Sequence, residues 1–493
     1  MNKNKLSLTI GMAVASTLIL AGCGGSSSSD NESTAAEELS RDHDEREFII
    51  DVASLGAFQT NTLTGEEGAN QVVQDASRYA GIYEGIQGNA GYTVEIPENW
   101  DGKLIMWTRG FSDDGVLGAN PPTMAFRNAV LAAGYAWAAS TYSADYYDVR
   151  AAIEDTNKLA LNFSQIIADN HDVPVAEVTQ RLIAGNSLGG HTAAAAVEQE
   201  TIDRAQFSVA YEGSMPLCQA EQNEFYWLGD YARVAQELAG QGDEPHENFQ
   251  DLRDLIEAEL FVFDENGDNT WQPQSGAGEN LKGIAMNLTG GERPVFDQGF
   301  VFAGGALQNV VLDTGGADGT ISGILARNFY DNQDREYRWT DGEITQAEEE
   351  FNDSITRVSA DPNVNPLRDD GVRWLPLVKG EISVPVLTLH TLGDFFVPFR
   401  HQQLFRNRVE ENGNGDLLVQ RAIRAPGHCD FSAEEITTAT EDFLDWVNND
   451  VVPEGDDVIS PETVSDPQYG CDHTENGSRA QERAFFGVPA CEV

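Results

Sequence analysis

Residues 179–191 read TQRLIAGNSLGGH, and this stretch decides the fold. Residues 179–184 end in the apolar run Leu182-Ile183-Ala184 and predict a strand, and the Ala-rich residues 191–200 are typical of a helix. Between them lies Gly185-x-Ser187-x-Gly189, whose glycines permit the strained turn that lifts a serine hydroxyl above the end of a sheet. The motif alone is weak, but its place between strand and helix predicts a nucleophilic serine.

Outward from this motif, strand-like and helix-like runs alternate, which predicts a mostly parallel sheet flanked by helices. The other expected strands are 92–97, 104–107, 135–140, 207–211, 384–390 and 417–423. The other expected helices are 124–133, 149–170, 399–411 and 432–449. Between Cys218 and about Gly380 the alternation stops, so we expect a large insertion over the sheet.

Two further side chains are required if Ser187 is to act as a nucleophile. An imidazole must accept the proton of its hydroxyl, and a carboxylate must fix the tautomer of that imidazole. Asp394 follows the expected strand 384–390, and His428 follows the expected strand 417–423, so both should emerge at the edge of the sheet that carries Ser187. Three other histidines fall inside predicted helices or strands, where a structural role is expected, namely His191, His390 and His401.

The order serine, acid, histidine at strand ends resembles that of the α/β-hydrolase superfamily, over roughly residues 92–218 and 384–449. The resemblance implies an acyl-enzyme mechanism without a cofactor and an oxyanion hole of two backbone N–H groups. Leu188 is expected to supply one N–H and Phe111 the other. Many lipases and esterases have His-Gly where this chain has Arg109-Gly110, which leaves the second donor open.

The insertion contains enough aromatic residues to line an apolar acyl pocket, although most are expected to form its own core. These residues are Phe225, Tyr226, Trp227, Phe261, Phe263, Trp271, Phe300, Phe302, Tyr330 and Trp339. We therefore expect a serine hydrolase that cleaves small-molecule or polymeric carboxylic esters. The alternatives are a peptidase with the same triad and a non-catalytic surface lipoprotein that keeps the fold.

The N-terminus has the layout of an export signal: Lys3 and Lys5, an apolar run over 6–20, and Leu20-Ala21-Gly22-Cys23. The box is similar to that of bacterial lipoproteins, which predicts lipidation of Cys23; an ordinary secretory signal is the alternative. Gly24 implies, by the same resemblance, the outer membrane of a Gram-negative bacterium, facing the periplasm or cell surface, or a released form. Residues 23–47, Ser-rich and acidic, are expected to be a disordered tether.

The formal net charge is −51, from 81 acidic against 30 basic residues. Such a surface repels nucleic acid and polyanionic substrates, and it is typical either of salt-tolerant exported proteins or of a simple solubility device. We expect membrane contact only through the lipid anchor. Asp264-x-Asn266-x-Asp268 resembles the start of a calcium loop, but Asn269 and Ser275 depart from that pattern, so a polar turn is expected and no metal site is predicted.

Four cysteines besides Cys23 remain, an even number that suggests disulfides in an exported chain. Of three pairings, a local bridge between Cys471 and Cys491 leaves Cys218 to pair with Cys429. The predicted organisation is a signal peptide (1–22), a tether (23–47), a hydrolase core in two parts (48–218 and 381–450), a lid insertion (219–380) and a C-terminal tail (451–493).

Overall fold

The computed structural model describes residues 48–60, 76–112, 114–242, 258–263, 271–273, 275–301 and 329–492. All of them belong to the unit His43–Val493. The expected signal peptide, Cys23 and the expected tether lie outside these residues, and so does the Asp264 to Asp268 segment. Within the described residues, no helix combines the length and the apolar character needed to span a membrane.

One central sheet of eight strands organises the described part of the chain, in the order β1-β2-β4-β3-β5-β6-β7-β8. Strand β2 runs antiparallel to β1 and β4, and all other neighbours are parallel. The strands are β1 (Ala76–Glu84), β2 (Asn89–Pro97), β3 (Lys103–Thr108), β4 (Ala136–Ser140), β5 (Gln180–Asn186), β6 (Ser214–Leu217), β7 (Val386–Thr391) and β8 (Leu418–Ile423).

Helices cover both faces of this sheet, because successive side chains of a strand point to opposite faces. In β3, Leu104 and Met106 pack on one face while Ile105 and Trp107 pack on the other. The first face is covered by α3 (Val149–Leu161), α4 (Phe163–His171), α5 (Leu188–Ala196) and α11 (Arg400–Glu411). The second face is covered by α1 (Val52–Gln59), α2 (Met124–Ala132) and α12 (Ala433–Asn449). Helix α6 (Gln199–Arg204) follows α5 directly.

The insertion has a core of its own, in which Trp227, Tyr231, Ile284 and Phe300 pack together with Phe395 of the sheet domain. Its described helices are α7 (Glu224–Leu238), α8 (Gly276–Leu288), α9 (Phe296–Phe300) and α10 (Gln346–Ser354), beside the antiparallel pair Phe261–Phe263 and Trp271–Pro273. The residues after 450 include α13 (Pro461–Val464) and α14 (Ser478–Phe485). They bury Val464, Tyr469 and Val488 against Leu392 and Ala422, so this segment is packed onto the sheet.

Three of the elements predicted from the sequence were wrong in position or extent. Residues 207–211 were expected to form a strand, yet the strand is Ser214–Leu217; Val209 and Tyr211 are buried because they pack below the sheet, where the Tyr211 hydroxyl donates to Asn157. The expected helix 149–170 is two helices, since α3 ends at Leu161 and Asn162 returns its side-chain amide to the Lys158 carbonyl. Helix 191–200 likewise ends early, at Ala196.

Candidate active site

Ser187 lies in the sharp turn between β5 and α5, with φ 59° and ψ −122°. A left-handed φ is strained for a residue with a side chain and is typical of functional turns. A Cβ on Gly185 would overlap Thr108, and a Cβ on Gly189 would overlap the Thr108 carbonyl. The Thr108 hydroxyl lies within hydrogen-bonding distance of two carbonyl oxygens, Ala184 O (3.0 Å) and Gly189 O (2.7 Å). These contacts hold the turn against β3. The two glycines of the motif are therefore needed for close packing.

The structure brings the three predicted site residues together. The Ser187 Oγ lies 2.8 Å from His428 Nε2, and His428 Nδ1 lies 2.6 Å from Asp394 Oδ2. Asp394 is fully buried in the turn after β7, where its other oxygen accepts from the N–H groups of Phe396 (3.1 Å) and Val397 (2.9 Å). This arrangement can withdraw a proton from the Ser187 hydroxyl and stabilise the imidazolium that results.

Burial alone would lower the pKa of His428, but the charge and hydrogen bond of Asp394, with the charge of Glu224, outweigh it and hold that pKa above its usual value. Glu224 was missed from the sequence. It opens α7 and is buried, with Oε2 2.8 Å from His401 Nε2. No sequence signal marks it, because it is one of 81 acidic residues.

A disulfide joins Cys218, directly after β6, to Cys429, directly after His428, and a second joins Cys471 to Cys491. Both pairs are the ones expected. The Cys429 Sγ also lies 3.5 Å from His428 Nε2, and the Thr391 hydroxyl donates to Gly427 O at 2.8 Å. The grouping of Cys218, His428 and Cys429 has metal-ligand composition, but both sulfur atoms are consumed by the disulfide.

The two expected oxyanion residues flank the serine. Leu188 is the first residue of α5, whose N-terminal N–H groups lack acceptors within the helix. A Cβ on Gly110 would lie 3.5 Å from the Ser187 Cβ, so the loop that carries Phe111 passes directly beside the nucleophile. Among the described residues, neither the Leu188 N–H nor the Phe111 N–H has an acceptor. Their role as oxyanion donors stays a prediction.

The three other histidines named in the sequence analysis have both ring nitrogens engaged elsewhere. His191 contacts the Tyr147 hydroxyl and Pro376 O, and His390 contacts Val397 O and Gln402. Burial lowers the pKa of each of these two imidazoles to about 4. His401 lies between Glu221 and Glu224; burial opposes its charge, but the hydrogen bonds that it donates to both carboxylates raise its pKa to about 9.

Several of the aromatic residues expected in the insertion pack in its interior. Trp227, Phe261 and Phe300 belong to its core, whereas Phe225 joins the core of the sheet domain. Phe302 lies outside the described residues. The Trp227 indole N–H donates to Phe395 O at 3.2 Å, so α7 packs onto the turn that carries Asp394. An aromatic that the sequence analysis did not single out, Phe396, meets the His428 ring edge-on at 5.4 Å.

Three features decide the architecture. The eight-stranded sheet is mostly parallel and has this order, a serine lies on the strained turn after β5, and an acid and a histidine follow β7 and β8. The chain has the α/β-hydrolase fold.

No family model matches this α/β-hydrolase chain. It is 23% identical over 404 residues to an o-phthalyl amidase of Xanthobacter agilis, covering 71% of this chain and 84% of that protein. Among solved structures, an esterase from Aspergillus oryzae matches with TM-score 0.45 and 13% identity over 81% of this chain and 84% of that chain. Pyrococcus horikoshii acylaminoacyl peptidase matches with TM-score 0.37 and 11% identity over 78% of this chain; only 44% of the peptidase is covered.

The α/β-hydrolase fold and the similarity to an amidase support a hydrolase. The bond that it cleaves is a separate question.

Proposed function

We propose that the protein is a serine hydrolase that cleaves carboxylic esters through an acyl-enzyme. The observation that carries this proposal is the continuous hydrogen-bonded chain from Ser187 Oγ through His428 to the buried Asp394 carboxylate. Such a chain activates a hydroxyl that is otherwise a poor nucleophile.

In the proposed reaction, Ser187 Oγ attacks the ester carbonyl while His428 Nε2 takes the hydroxyl proton. The tetrahedral oxyanion accepts from the N–H groups of Leu188 and Phe111. His428 then gives the proton to the leaving alcohol, and the acyl group remains on Ser187. Water attacks this acyl-enzyme, again losing a proton to His428, and the acid leaves with Ser187 restored. Asp394 holds Nδ1 of His428 throughout.

Cleavage of amides is the second candidate. An amine leaves only once it is protonated, and His428 Nε2, 2.8 Å from Ser187 Oγ, is placed to supply this proton after it has taken the proton of the serine. The similarity to a protein named as an amidase points the same way.

Purified protein beginning at Cys23 should be incubated with p-nitrophenyl esters of increasing acyl length, a polyester film, aryl amides that include an N-phthalyl monoamide, and short peptide amides. We expect ester hydrolysis that disappears in Ser187→Ala. Hydrolysis of amides alone would replace the ester proposal by the amidase one. Absence of hydrolysis and of fluorophosphonate labelling in folded protein would reject both.

We also propose that the protein is exported and anchored through acylated Cys23 at the outer membrane of a Gram-negative bacterium. The apolar run before Leu20-Ala21-Gly22-Cys23 supports this proposal, and two disulfides suit an oxidising compartment. A Cys23→Ala chain should leave the membrane fraction. Equal membrane recovery of the Cys23→Ala and unaltered chains would contradict the anchor.

A further inference from the structure

The loop after β3 carries the backbone that passes beside Ser187, and its first residue is a buried arginine. Arg109 is only 4% exposed. Its side chain donates from Nε (3.2 Å) and Nη2 (3.1 Å) to Thr141 O, and from Nη2 to Asp145 Oδ1 at 3.1 Å. The guanidinium also stacks 4.8 Å from the centre of the Tyr142 ring. A charged group buried this deeply persists only when it is paired and hydrogen-bonded.

The same guanidinium fixes one particular peptide plane. Arg109 Nη1 donates to Gly110 O at 3.1 Å. In a trans peptide the C=O and the following N–H point in opposite directions, and the described chain has no cis bonds. The bond that draws Gly110 O toward Arg109 therefore turns the Phe111 N–H away from it. Among the described residues this N–H has no acceptor, as expected of a donor kept for a ligand.

A second loop, residues 141–147, holds Arg109 in place. Asp145 is fully buried and bridges the two loops, since Oδ1 accepts from Arg109 and Oδ2 accepts from the Gly115 N–H at 2.9 Å. The Tyr146 N–H donates to Ser112 O at 2.9 Å, and the Tyr142 hydroxyl donates to Arg109 O at 3.2 Å. The loop that carries Phe111 is thus held by the second loop both before Phe111, at Arg109, and after it, at Ser112 and Gly115.

We propose that Arg109, supported by Asp145, is the positioning residue of the oxyanion hole: it sets the orientation of the Gly110–Phe111 peptide so that the Phe111 N–H faces the oxyanion. The inference rests on the proposed acyl-enzyme function and deepens it. It also explains how this chain manages without the His-Gly segment found at this point in many lipases and esterases.

The test compares Arg109→Met and Arg109→Lys with Arg368→Met as a matched control. Arg368 is also a buried arginine, 3% exposed, that is paired with an aspartate (Asp370, 2.8 and 2.6 Å) and stacked on an aromatic ring (Trp374, 4.1 Å). Steady-state kinetics on a reactive ester would give kcat and KM separately. An alkyl boronic acid, which forms a tetrahedral adduct with a reactive serine, would report on the oxyanion hole directly.

We expect Arg109→Met to lower kcat by about 100-fold, the usual effect of losing one oxyanion donor, while KM changes by less than about threefold. Boronic acid affinity should fall by a similar factor. The kcat of Arg109→Lys should lie between those of the unaltered protein and Arg109→Met, because one ammonium group cannot replace the several donors of a planar guanidinium. Arg368→Met should keep kcat within about threefold of the unaltered protein.

An unchanged kcat in folded Arg109→Met, or an equal loss in Arg368→Met, would overturn the inference. If Arg109→Met does not fold, Asp145→Asn carries the test, with an expected kcat loss of about tenfold and the same split from KM. An unaltered protein that is inactive toward every substrate would instead reject the proposed function, so the two failures are distinguishable.

Discussion

Ser187 and His428 are held in place by different means. Ser187 is positioned by its own backbone: the strained turn is locked by close approach of Gly185 and Gly189 to Thr108, all within β3, β5 and α5. His428 sits in a loop that is held by long-range bonds. A disulfide with a sequence separation of 211 fastens its neighbour Cys429.

The loop after His428 is also held from the C-terminal segment. Asp430 pairs with Arg479, and its carbonyl accepts from Arg483, which pairs with the buried Glu435 at 2.6 Å. The nucleophile thus depends on close packing between adjacent elements of the central sheet, whereas the base depends on a disulfide and on ion pairs with the C-terminal segment. Variants that disturb the Ser187 turn and variants that disturb the His428 loop should therefore lose activity and stability to different extents.

The largest effect is expected from removal of the reacting groups. Ser187→Ala should abolish fluorophosphonate labelling and ester hydrolysis, and His428→Ala should suppress labelling strongly. Asp394→Asn should lower turnover by about 10⁴-fold, because the imidazole then adopts the wrong tautomer. Mass spectrometry of labelled peptides would locate the probe. Labelling at serines outside the site, such as Ser26 to Ser29, or wild-type turnover in folded Ser187→Ala, would contradict the assignment.

The close packing of the Ser187 turn can be tested by adding one methyl group. Gly189→Ala should displace Ser187, because the new Cβ would overlap the Thr108 carbonyl, and kcat should fall about 100-fold. The stability cost should be about 2 kcal/mol. Gly56→Ala is the control, since a Cβ there meets no atom within 4 Å. Urea unfolding and steady-state kinetics would measure both changes; equal behaviour of the two variants would remove the packing argument.

The position of the His428 loop can be tested by removing one disulfide. The double variant Cys218→Ala and Cys429→Ala should lose about tenfold in kcat, since the His428 loop is then less well positioned. It should also unfold more easily than Cys471→Ala with Cys491→Ala. The bridge with separation 211 constrains the unfolded chain by about 2 kcal/mol more than the bridge with separation 20. A larger kcat loss in the second double variant would refute this contrast.

The smallest expected effect concerns the pH profile. His428 must be neutral to accept the serine proton, and its raised pKa means that activity should fall on acidification at a higher pH than for a histidine with its ordinary pKa. Glu224→Gln removes one of the charges that raise this pKa, so the acid limb of kcat/KM should move to lower pH. Glu434→Gln, which removes an exposed charge, should leave the limb in place. An acid limb at the same pH in Glu224→Gln and the unaltered protein would exclude an effect of Glu224 on the pKa of His428.

How well the sequence predicted each part follows from the range of the interactions. The turn around Ser187 has a local signature, and Asp394 and His428 could be placed because they follow strands. The cysteine pairing was found by elimination. By contrast, Arg109, Asp145 and Glu224 act through contacts with other segments, and nothing in their immediate sequence distinguishes them. The Leu188 and Phe111 assignments stay predictions.

The misplaced strand shows the same limit. Phe207, Val209 and Tyr211 alternate with small residues as strand residues can, but Val209 and Tyr211 are buried in the core cluster that contains α3. The real strand, Ser214–Leu217, is short and contains Pro216, which argues against a strand in any local scale. Its pairing with β5 and β7 decides the outcome.

Arg424, at the end of β8, is 1% exposed and donates to the carbonyls of Pro467, Tyr469 and Pro489. These three acceptors lie 43, 45 and 65 residues beyond Arg424 in the chain, so this guanidinium is fully paired only when the C-terminal segment is packed against it. A buried guanidinium without acceptors is costly. Removal of residues 467–489 is therefore expected to lower the stability of the strand end that leads to His428.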